Sequence, residues 1–298
     1  MSNKLLNDVG CPMCGASISD STRTCGVCGS FLLIGIIDNK FNKALDKLKI
    51  GDAINNWRST LDSKPDDAVA NYCLGLAYLN SGLTDAALIH LRKTVLLSPE
   101  VADAHFNLAM CLWDNGKVRV DSVEFDEMVK EIEYAIQLDP LFHEAKAFNH
   151  IFMGLKYEEV DLVEAIKEYR KAIEVCPNVP GAHNNLGMCY ANTGQMQMAE
   201  TFFLQAIEMA NLGMSYNNMC WVKLEQEKYD DGVEWGKKAL IHLSSDNTDG
   251  IALANSNIAL CYNNLSQKDL ALSHIKKAVA LCPHEPIFQE NLEHIESK

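Results

Sequence analysis

A motif of about 34 residues recurs through the chain, and a unit of that length restricts the fold more than any single residue does. Residues 68–99, AVANYCLGLAYLNSGLTDAALIHLRKTVLLSP, show it most clearly. The pattern predicts two short helices joined at Ser81-Gly82, where glycine supplies the tight turn. Small residues (Gly75, Ala87, Thr94) fall where the helices must touch, and Leu74, Tyr78 and Leu91 fall between them. Pro99 ends the second helix, since a proline ring cannot continue one. One such hairpin cannot bury its apolar face alone, so it must stack on copies of itself.

The pattern returns at 103–140, 143–177, 181–211, 214–244 and 251–283. The Pro99–Pro140 interval is 41 residues against 34 for Pro65–Pro99, and the surplus falls around Lys117–Phe125, between the helices. The polar stretch Ser244–Gly250 reads as a loop. Residues 31–67 read as a divergent first hairpin carrying Phe41, Ala44, Leu48, Ala53 and Trp57. Residues 285–298 read as a capping helix with Ile287, Phe288, Leu292 and Ile295 on its apolar side. The expected organisation is therefore a cysteine-bearing segment at 1–30, the divergent hairpin at 31–67, six units at 68–284 and the cap.

Residues 68–283 resemble tetratricopeptide repeats, as shown by the period and by runs such as Leu186-Gly187, Tyr190, Ala199, Phe203 and Ala206. The resemblance implies an all-α fold, a right-handed superhelix of helical hairpins whose first helices line a concave groove. One family position, usually aromatic, is Asn71, His105, His183 or Asn255 here, which predicts weaker packing at that point.

Cys11-Pro-Met-Cys14-Gly and Cys25-Gly-Val-Cys28-Gly form two knuckles. Two thiolates two residues apart can face one tetrahedral metal, and four favour zinc in a closed structural site. The stretch is similar to short zinc ribbons, which implies one structural Zn2+ on Cys11, Cys14, Cys25 and Cys28. A rubredoxin-like iron site uses similar knuckles and stays open as the redox alternative. Residues 1–30 carry only Lys4 and Arg23 as cations and no aromatic residue, so the ribbon lacks what nucleic-acid stacking and phosphate contact need.

Asparagine recurs at one place in the first helices: Asn107, Asn185, Asn218 and Asn257, joined by Asn149 if one residue is inserted. An amide offers a donor and an acceptor, so it can pair with a peptide backbone whatever the side chains. The row is similar to the asparagine ladder in the repeats of O-GlcNAc transferase, which implies peptide contact. In the family register Tyr72, Phe106, Trp113, Phe152, Met188 and Trp221 face the groove as an apolar strip. Lys156 is the exceptional cation there, so the groove lacks the clamp with which chaperone-binding members hold acidic tails.

Forty acidic against 26 basic residues give a net charge of −14, which repels a phosphate backbone. The apolar run Phe31–Ile37 is far shorter than the roughly 20 residues a spanning helix needs. Eleven cysteines, an odd number at mostly apolar positions, suit a reducing compartment and a cytoplasmic location. The sequence contains no P-loop, dinucleotide fingerprint or nucleophile elbow. The expectation is a non-catalytic adaptor or assembly factor. Its alternatives are a redox or metal-responsive module and a non-catalytic subunit of an enzyme complex.

Overall fold

The computed structural model describes residues 47–114, 118–245 and 247–297. The four expected metal ligands, Cys11, Cys14, Cys25 and Cys28, lie outside the described residues, as does the start of the divergent hairpin. Two compact units divide the chain, residues 1–178 and 179–298.

Among the described residues every element is a helix. The first unit holds α1 (Lys47–Ser63), α2 (Ala68–Asn80), α3 (Thr84–Leu97), α4 (Ala102–Asp114), α5 (Val123–Leu138), α6 (His143–Tyr157) and α7 (Leu162–Val175). The second holds α8 (Pro180–Asn192), α9 (Met196–Ala210), α10 (Gly213–Glu225), α11 (Tyr229–His242), α12 (Thr248–Asn264), α13 (Lys268–Leu281) and α14 (Pro286–Ser297). Within each unit consecutive helices pair as antiparallel hairpins, from α2 with α3 to α12 with α13. First helices of neighbouring hairpins also touch: α2 with α4, α8 with α10, and α10 with α12.

Local chemistry sets the ends. Helices α1, α3, α5, α7 and α13 each stop two residues before a proline, at Pro65, Pro99, Pro140, Pro177 and Pro283. Helix α9 has no such proline and ends instead on Asn211 in the left-handed region, at φ 49°. Inside the hairpins the same turn recurs. Gly82, Gly194, Glu227 and Ser266 occupy equivalent places, all at positive φ. After each, a backbone N–H reaches back five residues, as in Leu83 to Tyr78 O at 2.9 Å and Gln267 to Tyr262 O at 2.9 Å. Asp67 and Asp161 cap α2 and α7 by accepting from backbone N–H groups.

The hairpins close by matching small residues to large ones. A Cβ on Gly75 would come 2.9 Å from Leu91 Cγ, and one on Gly187 2.7 Å from a Phe203 ring carbon. One on Gly154 would come 2.6 Å from the Tyr169 ring. Ala87, Thr94, Ala165, Ala199 and Ala206 are buried at the neighbouring contacts.

Two expectations need correction. The Ser244–Gly250 loop is shorter than predicted, because α12 starts at Thr248 with Asn247 Oδ1 accepting from Gly250 N at 2.9 Å. The cap is narrower than predicted: Phe288 and Ile295 are buried against Tyr262, Ile275 and their neighbours, and Leu292 packs beside them. Ile287 is 48% exposed, because a helical face repeats at three and four residues and skips it.

Candidate functional site

The residues expected to contact a partner lie on the first helices, and burial divides them into two groups. In the first unit an aromatic row runs along α4 and α6. Phe106 lies 4.9 Å from Phe142 and 5.7 Å from Phe148 between ring centroids. Phe148 lies 6.0 Å from Phe152, and Phe152 lies 5.5 Å from Trp113. Phe106, Phe142 and Phe152 are fully buried, whereas Trp113 is 38% exposed. Tyr72 is fully buried as well. Tyr72, Phe106 and Phe152 therefore back this face, and Trp113 is its open end.

Asn149 sits one residue beyond Phe148 on α6, and its Oδ1 is buried with no hydrogen-bond partner. Such an atom costs free energy until a donor reaches it. Lys156, one helix turn beyond Phe152, holds its Nζ 5.6 Å from the Phe125 ring centre and 3.5 Å from Asp126 Oδ1. Asn107 is fully buried and donates to Tyr72 Oη at 2.7 Å.

In the second unit the asparagines join successive first helices. Asn184 Oδ1 accepts from Ser215 Oγ at 2.8 Å and from Asn218 Nδ2 at 3.0 Å. Asn257 Nδ2 donates to Asn217 Oδ1 at 3.0 Å, and Asn291 Nδ2 to Ser256 Oγ at 3.1 Å. Asn185 Oδ1 accepts from Asn184 Nδ2 at 3.3 Å. The recurring position picks out one asparagine in each first helix of this unit, Asn185, Asn218 and Asn257. Their neighbours Asn184 and Asn217 and the serines, which carry the cross-links, could have been found only by pairing residues one repeat apart. Met188 and Trp221 are half-buried in this unit. Lys223 adds a cation that the sequence reading missed, but it is buried and spent on Glu200 Oε1 at 2.6 Å.

The position without its usual aromatic residue is not a weak point, because each substitute finds a partner on the second helix. Asn71 Nδ2 donates to the Pro65 and Asp67 carbonyls, so its Oδ1 accepts from His90 Nδ1 at 3.0 Å. Asn255 repeats this arrangement with His274 at 2.9 Å. His90 stacks on Tyr78, and His274 lies tilted against Tyr262. Burial first, and then Lys93 and Arg58, lower the His90 pKa; burial, Lys277 and Lys237 lower that of His274. His183 lies near Phe202, and burial lowers its pKa against the pull of the Val179 carbonyl. His105 differs. Its Nδ1 lies 2.5 Å from Glu131 Oε2 and its Nε2 2.9 Å from Pro99 O, so both ring nitrogens face acceptors and the protonated ring can donate to each. Burial opposes that charge, yet the Glu131 bond, the Pro99 bond and the Glu131 charge raise the pKa overall.

Cys73, Cys111, Cys189, Cys220 and Cys261 are buried and form no disulfide. Among the described residues no group of three or more His, Cys, Asp or Glu could hold a metal ion. No described helix is long and apolar enough to cross a membrane.

Comparison with known proteins agrees with this architecture. Family models for the tetratricopeptide repeat match residues 39–95, 157–194 and 180–211. The chain is 28% identical over 119 residues to anaphase-promoting complex subunit 6 of Arabidopsis thaliana, covering 40% of this chain and 22% of that protein. It is 27% identical over 151 residues to the type IV pilus assembly protein PilF of Pseudomonas aeruginosa, covering 50% of this chain and 56% of PilF. The chain thus spans less than two thirds of either relative. The Cut9 subunit of Schizosaccharomyces pombe, 22% identical over 241 residues, covers 76% of this chain and 32% of its own length. In the solved Cut9–Hcn1 hetero-tetramer the fold superposes with a TM-score of 0.68 at 20% identity, over 86% of this chain and 48% of that one. Residues 39–95 and 157–211 of this chain match the tetratricopeptide repeat, and the hairpins from α2 to α13 share one pattern of helix pairing.

Proposed function

We propose that the chain is a non-catalytic interaction or assembly module that grips an apolar peptide or helix of a protein partner on its first helices. The observation that carries this reading is Trp113, exposed at the end of a buried aromatic row and packed 5.5 Å from Phe152 of helix α6, the helix that also carries the unpartnered Asn149 Oδ1. A tryptophan held by packing on one side offers a large apolar area at small entropic cost, and an orphaned carbonyl favours a partner that brings an N–H. In the second unit Met188 and Trp221 offer the apolar surface, with Asn185, Asn218 and Asn257 held in place beside them. The relatives named as complex subunits and as an assembly protein fit such a role.

In this reading the module works in the cytoplasm. Its acidity (net −14) disfavours nucleic acid, and one structural Zn2+ on Cys11, Cys14, Cys25 and Cys28 shapes a second docking surface. Affinity capture with the intact chain, and with Trp113→Ala and Trp221→Ala, tests the groove. The partners should be lost while the fold is kept. Metal analysis tests the ribbon: one zinc per chain supports it, whereas reversibly reducible iron would replace it with a redox role.

A further inference from the structure

One hairpin of the second unit lacks the large side chain that fills the others. Elsewhere Leu91, Ile132, Tyr169, Phe203 or Ile275 stands on the second helix facing the first; at that place α11 carries Gly236. One turn earlier it carries Gly232, where the α3, α7, α9 and α13 helices carry Ala87, Ala165, Ala199 and Ala271. Two glycines one turn apart leave a notch; Ile258 of α12 fills it over Gly236, with its Cγ1 too close to leave room for a Cβ, and two sulfurs line it from different helices. A Cβ on Gly232 would come 2.6 Å from Cys261 Sγ, and one on Gly236 would come 3.1 Å from Cys220 Sγ. Cys220 belongs to α10 and Cys261 to α12; both are fully buried, and Cys261 is the first influence on the Cys220 thiol. Cys111 and Cys189 occupy the Cys261 position in other hairpins, but there the Cys220 position of the preceding hairpin is Gly75 or Gly154. The sulfur pair is therefore particular to this notch.

We propose that Cys220 and Cys261 are a redox-operated lock, in which an oxidant of the hydroperoxide class closes a disulfide between α10 and α12. One thiolate attacks the peroxide oxygen, giving a sulfenic acid and releasing water or an alcohol. The second thiolate displaces hydroxide from that sulfur, which leaves as water on protonation. Two thiols are oxidised, one peroxide is reduced, and one S–S bond forms. Contact with Cys261 and burial push the Cys220 thiol well above its ordinary pKa, so thiolate is scarce and closure is slow compared with exposed thiols. The closed bond would join the same two helices that Asn257 and Asn217 already join, fixing their spacing on the proposed binding face. Glutathione-class thiols would reopen it by exchange.

The test is peptide mapping of the full chain after exposure of the native protein to hydrogen peroxide, with thiols alkylated after denaturation. The expected product is a Cys220–Cys261 cross-linked peptide, together with a rise in melting temperature that dithiothreitol reverses. Cys220→Ala should abolish both changes; alanine is already accommodated at this position as Ala109 and Ala259. Peroxide that oxidises the partly exposed Cys176 and Cys282 while Cys220 and Cys261 remain alkylatable would overturn the proposal. A cross-link without a rise in melting temperature would overturn the lock.

Discussion

Asn107 donates its amide to the hydroxyl of Tyr72 at 2.7 Å, a buried bond between the first helices of two consecutive hairpins. Removing the hydroxyl leaves a buried donor without that acceptor. Tyr72→Phe should therefore destabilise the first unit by about 1–3 kcal/mol, read from urea denaturation.

The contact of Gly187 with Phe203 leaves no room for a methyl group, since a Cβ would sit 2.7 Å from the ring. Gly187→Ala should destabilise by about 1–3 kcal/mol through overpacking. Gly181, on the same helix, has no atom within 4 Å of its Cβ direction. Gly181→Ala should be neutral or stabilise by up to about 1 kcal/mol, because alanine restricts the unfolded chain. Thermal denaturation of the two variants should separate them in sign.

Glu227 and Ser266 hold φ near 59° and 60° in turns where two sister hairpins use glycine. A side chain in that region costs roughly 1–2 kcal/mol, partly offset by the larger entropy that glycine loses on folding. Glu227→Gly and Ser266→Gly should each raise stability by up to about 1 kcal/mol, and Gly82→Ala should lower it by about 1 kcal/mol. Denaturant midpoints of the three variants measure this.

The histidines divide in their response to pH. His90, His183 and His274 have folded pKa values below 6.5, so their stability contribution is present above 6.5 and is lost as pH falls through the folded value. His105 has a raised value; its contribution is present below 6.5 and is lost as pH rises through the folded value. Replacing His105 by glutamine removes the one opposing slope among these four. The variant should lose stability more steeply than the parent on acidification between about pH 7.5 and 5.5. Melting temperatures across that window provide the check.

Prolines and glycines made the hairpins legible, because each acts on the backbone of its own neighbourhood: Pro99 stops α3 and Gly82 turns α2 into it. The small-to-large contacts were legible for the same reason, with Gly75 facing Leu91 as its spacing implied. Burial across hairpins was less legible. Phe106 and Trp113 belong to one helical strip in sequence, yet Phe142 and Phe148 cover the first and leave the second open. Asn71 and Asn255 read as lost aromatic packing because their partners, His90 and His274, lie 19 residues away on another helix. The trace they leave is a shared 19-residue separation between the two helices, which the period within either helix does not reveal.

The most direct test of the proposed interaction role is the affinity of a captured partner segment for the intact chain and for Trp113→Ala, measured by isothermal titration. The account predicts binding weakened by at least about tenfold, equivalent to roughly 1.4 kcal/mol, with the helical circular dichroism retained at the assay temperature. Equal affinity for the two proteins would contradict it.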